Sequence, residues 1–61
     1  MDEITYSRRG LIFTVTALPD GTAAVKARRA DGKGSWSPVM PFRSPASARR
    51  FYGLTDEHRT A

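Results

Sequence analysis

Lys26, Arg28 and Trp36 are the residues whose types and spacing point most directly to chemistry. Two cations two positions apart in an extended run project to the same side of a sheet. With an indole beside them they describe a surface that could hold phosphates and stack bases. Arg43, Arg49 and Arg50 supply further cations within reach of a phosphate backbone. Between Arg8 and Arg50 nine basic residues stand against two acidic ones, Asp20 and Asp31, a local net charge of +7. Acidic residues near both ends lower the whole chain to +4. A segregated positive field on a short domain attracts polyanions, because each neutralised phosphate releases condensed counterions. Nucleic acid, with duplex DNA foremost, is therefore the first partner expected, and an acidic protein the second.

Other chemistries find less support. Nucleophilic catalysis needs a nucleophile, a base and an orienting group within hydrogen-bond reach, and the single histidine, His58, falls in the expected tail. The six acidic residues occupy ends and turns, where burial would not shift them toward acid–base work. The reading is of a non-enzymatic protein. Without cysteine there is neither a disulfide framework nor a thiolate site, and one histidine does not make structural zinc, so no metal or cofactor is expected. Gly32-Lys33-Gly34 lacks the spacing and the following helix of a phosphate-cradling loop and reads as a hairpin. No apolar run is long enough to span a membrane, and the start Met1-Asp2-Glu3 is unlike a signal peptide, so a cytoplasmic protein without a membrane partner is expected.

These residues must be positioned by a single small domain over residues 1–61, near the lower size limit for a core unaided by cross-links. Pro19-Asp20-Gly21 and Asp31-Gly32-Lys33-Gly34 are turn signals, since Pro presets φ, Asp bonds its own backbone and Gly accepts positive φ. They separate three extended runs: Leu11 to Leu18, Ala23 to Arg29, and Ser35 to Phe42. The third contains Pro38 and Pro41, so it must be an edge strand or bulge at Pro38. Ile4-Thr5-Tyr6 supplies a fourth strand if it pairs back through Ser7-Arg8-Arg9-Gly10, a turn carrying two exposed cations. The period then changes. Ser44 as N-cap, Pro45 at the first helical position and Gly53 at C′ predict a helix from Pro45 to Tyr52. Residues 1–3 and 55–61 read as frayed tails. The fold class is α+β: a three-stranded, or with Ile4–Tyr6 four-stranded, antiparallel meander with one C-terminal helix on one face.

Alternation assigns the faces. Leu11, Phe13, Val15, Ala23, Val25 and Ala27 are expected inward beneath Ala48, Phe51 and Tyr52, with Phe51 against Phe13 and Val15. Thr14, Thr16, Lys26 and Arg28 are expected outward. Trp36 belongs beside them if Pro38 shifts the local register, and a half-buried place at the sheet rim suits its indole.

This β-β-β-α order, with Phe42-Arg43-Ser44-Pro45-Ala46-Ser47-Ala48-Arg49-Arg50-Phe51-Tyr52 leading from a last-strand aromatic into a capped, Ala-rich helix, resembles two families. They are the AP2-type DNA-binding domains and the arm-binding amino-terminal domains of phage-type integrases, over roughly residues 10–54. The resemblance implies a DNA-binding module of phage or mobile-element type whose outer sheet face enters the major groove. It implies DNA contacts by Lys26 and Arg28 on the middle strand and Trp36 on the last. The alternative is an interaction module that docks its positive sheet or exposed edge strand on an acidic protein, as small phage-type inhibitors do. Either is compatible with a monomer or a weak homodimer.

Overall fold

Turn chemistry sets the register of the sheet. In the computed structural model, which describes residues 2–60, Arg9 and Gly10 both have positive φ, 51° and 76°. That pair defines a two-residue hairpin turn whose twist matches its strands. It joins β1 (Asp2–Arg8) to β2 (Leu11–Ala17), with Arg8 opposite Leu11 and Asp2 opposite Ala17. The second turn is held by Asp20, whose Oδ1 accepts from the Thr22 amide at 2.9 Å and the Thr22 hydroxyl at 2.6 Å. These bonds, the hydroxyl's first, hold the Asp20 carboxyl below its ordinary value. Beyond it β3 (Ala23–Arg29) pairs antiparallel with β2, and β4 (Met40–Phe42) pairs with β3. The sheet order is β1-β2-β3-β4, the expected meander with the upstream run as a full fourth strand.

Helix α1 (Pro45–Tyr52) starts and stops as its residues dictate. The Ser44 hydroxyl accepts from the Ser47 amide at 3.1 Å, and Pro45 occupies a position whose N–H would have no partner. Gly53, at φ 66°, and Leu54 return their amides to the carbonyls of Arg50 and Arg49. The helix covers one face, where Tyr6, Phe13, Val15, Ala23 and Val25 are buried beneath Ala48 and Leu54. Ile4, Ala27, Phe42 and Tyr52 pack around them.

Four expectations are corrected. Phe51 is 72% exposed and does not cover Phe13; Tyr52 does, with ring centroids 4.9 Å apart. Ala48 is wholly buried, so the helix seats along its i, i+4 row, Ala48 and Tyr52, which turns Phe51 toward the β4 edge and Phe42. Leu11, at the turn end of β2, is 37% exposed and outside the core, whereas Tyr6 on β1 is a central member. The ends are not frayed over the described residues. Asp2 and Glu3 belong to β1, and Asp56–His58 form a 3-10 turn in which His58 Nδ1 accepts from the Thr55 amide at 3.0 Å. Thr60 then donates its amide to the Thr5 carbonyl at 2.9 Å, laying the C-terminal segment along the free edge of β1. Finally, the third extended run is a strand only over Met40–Phe42.

Arg8 also departs from expectation. It is not a free turn cation: its Nη1 donates to the carbonyls of Tyr52 at 2.6 Å and Gly53 at 2.7 Å, capping the negative end of α1 from another element.

Candidate nucleic-acid interface

The segment before β4 decides where Trp36 goes. Ser37 bonds back to Ala27 on β3, its amide to the Ala27 carbonyl at 2.7 Å and its hydroxyl accepting the Ala27 amide at 3.0 Å. Met40 stands opposite Val25. Three steps along one chain, from Ser37 to Met40, therefore match two along the other, the signature of a bulge with one extra residue at Pro38–Val39. In an unbroken ladder Trp36 would fall opposite Arg29, on the helix side. The extra residue moves it opposite Arg28 and flips it to the outer face.

There it meets both expected cations. Lys26 Nζ lies 4.7 Å and Arg28 Cζ 5.2 Å from the indole centroid, both within cation–π range. Trp36 keeps 40% of its surface accessible. Next to this cluster a recess of about 210 Å³ opens on the same face, lined by Glu3, Thr16, Leu18, Ala24, Val25, Lys26 and Val39. Glu3 faces Thr16 across the β1–β2 ladder and Thr16 faces Ala24 across β2–β3. The Thr16 hydroxyl donates to Glu3 Oε2 at 3.3 Å, so the carboxylate is tied to a second residue of the recess lining. Thr14, flanked across the strands by Thr5 and Lys26, is 4% exposed and adds no accessible hydroxyl.

The six expected contact residues are not all brought together. Lys26, Arg28 and Trp36 converge. Arg49 and Arg50 lie in the last turn of α1, on the opposite side of the sheet, where they complement the helix dipole. Arg43 is exposed in the turn between β4 and α1. Arg29 is engaged with Asp31 at 2.7 Å, the one ion pair among the described residues. Thr16 lies on the outer face as expected, whereas Glu3 and Val39 were missed by sequence reasoning. Extending β1 back to Asp2 would have found Glu3, since the hairpin register at Arg9-Gly10 then places it opposite Thr16. Val39 carried no such signal, because its direction depends on the bulge.

The class defined by fold and surface is a small basic α+β sheet domain with a cationic, aromatic outer face. Compared with known proteins, the chain matches no family model, no curated protein and no solved structure.

Proposed function

We propose that this domain binds nucleic acid, without catalysis, through the outer face of its sheet. This is the use of the sheet made by the AP2-type and integrase arm-binding domains that it resembles. The observation that carries the reading is the convergence of Lys26, Arg28 and Trp36 on one face with, among the described residues, no acidic partner bonded to either cation. Phosphates would take the two cations, and the accessible part of the indole would meet a sugar or base. Arg43 can extend the phosphate track. Arg49 and Arg50, across the sheet, contribute to the long-range field rather than to the same contact.

Docking of an acidic protein by strand addition is the weaker reading. Ala27 directs its N–H and C=O toward the β4 side, so by alternation Val25 and Ala23 do too, and Met40 and Phe42 face them. Pro41 therefore turns its missing N–H outward, and this edge lacks a donor where an added strand needs one.

An amide chemical-shift titration with short duplex and single-stranded oligonucleotides at two salt concentrations tests the proposal. Shifts should cluster at residues 24–28 and 35–39 and shrink at high salt. Shifts confined to α1, or none with either ligand, would remove the reading.

A further inference from the structure

We propose that the recess beside Trp36 receives one unstacked nucleobase bearing an exocyclic amino group, cytosine, adenine or guanine, and that the preferred ligand is therefore single-stranded. The inference rests on the nucleic-acid reading and specifies its substrate. The recess, at about 210 Å³, has apolar walls from Leu18, Ala24 and Val39, which suit the flat faces of a base. Its polar groups are few and differ in sign. Lys26 lines it and also lies against Trp36, so this one side chain borders both the recess and the stacking surface. That is where the phosphate joining an inserted base to its neighbour would pass.

Glu3 is informative because a carboxylate beside a phosphate-binding surface repels the backbone. It accepts hydrogen bonds and donates none when ionised. Lining a recess next to two cations, it selects a donor edge: the amino group of cytosine, adenine or guanine pairs with it, and the carbonyl that thymine or uracil presents where cytosine has its amino group is repelled. Thr16 donates to Glu3 Oε2, which ties the carboxylate to the recess wall. A paired base cannot enter, since its amino group is already engaged and its faces are stacked. The bulge serves this arrangement twice, bringing Trp36 to the outer face and making Val39 one wall of the recess.

Trp36 fluorescence titrations with oligo-dC and oligo-dT of equal length, and with a duplex of the same length, test the inference at neutral pH and low salt. The expected result is tighter binding of oligo-dC by roughly five- to tenfold, the scale of one base-edge contact, with the duplex weaker than oligo-dC. Glu3→Gln, whose amide both donates and accepts, should bring oligo-dC and oligo-dT to similar affinity. Ala24→Leu, which fills the recess without touching charge, should do the same and guards against a folding defect in the first variant. Equal affinity for the two oligonucleotides, a tighter duplex, or a dC preference that survives both substitutions would overturn the inference while leaving nucleic-acid binding intact. Failure to bind any oligonucleotide would overturn both.

Discussion

At the scale of single residues, two neighbours in one turn have opposite energetic roles. Arg9 holds φ 51°, a left-handed conformation that costs a non-glycine residue about 1 kcal/mol. Arg9→Gly or Arg9→Asn should therefore raise stability by about 0.5–1 kcal/mol in urea unfolding, because these residues suit that hairpin position. Arg8 instead satisfies two helix-end carbonyls, and Arg8→Ala should cost about 1.5–3 kcal/mol, the range for hydrogen bonds from a charged donor. A Cβ at Gly53 would collide with Arg8 Nη1, and its φ of 66° is unfavourable for alanine as well. A double-mutant cycle should accordingly show Gly53→Ala costing less in the Arg8→Ala background than in the native one. Asp20 gives a smaller, pH-dependent effect. Its carboxyl is held below the ordinary 3.8, so its contribution is present above that pH and is lost as pH falls through the lowered value. Asp20→Asn should remove that acid-side component from a pH series of melts.

At the scale of elements, the helix and the bulge make separable predictions. Phe51→Ala should cost under about 1 kcal/mol, since the ring is mostly exposed, whereas Tyr52→Ala should cost about 3 kcal/mol or more through lost packing on Phe13. Deleting Val39 removes the extra residue and should give an unbroken ladder that keeps Ser37 opposite Ala27 and Trp36 opposite Arg28 on the outer face, so Trp36 emission should change little while the recess loses one wall. The strands and helix were legible because their signals are local: turn residues, alternation, Ser44-Pro45 at one end of the helix and Gly53 at the other. The choice between Phe51 and Tyr52 was not, since both lie three or four residues from Ala48 and only tertiary seating selects one row. The tail was misread for the same reason. Nothing in Thr55 to Thr60 announces that it will bond along β1, and Arg8 reaches the helix end only in the folded arrangement. The candidate site was half legible: alternation put Lys26 and Arg28 outward, but Trp36 depended on one extra residue that Pro38 permits without locating.

At the scale of the whole molecule, charge is divided between two faces with different consequences. The outer face gathers Lys26 and Arg28 around Trp36, while Arg49 and Arg50 sit on the helix behind the sheet. Both sets raise the long-range field, but only one lies beside an indole and a recess. The central claim is that binding uses the outer face, and the salt dependence of affinity tests it most directly. Affinity for a single-stranded oligonucleotide should be followed over a salt series for the native protein, for Lys26→Ala/Arg28→Ala and for Arg49→Ala/Arg50→Ala. Each phosphate contact contributes about 0.7 to the logarithmic slope on a single strand, so the outer-face variant should flatten it by about 1.4 and the helix variant by much less. An unchanged slope in the outer-face variant, or a larger loss in the helix variant, would contradict the account.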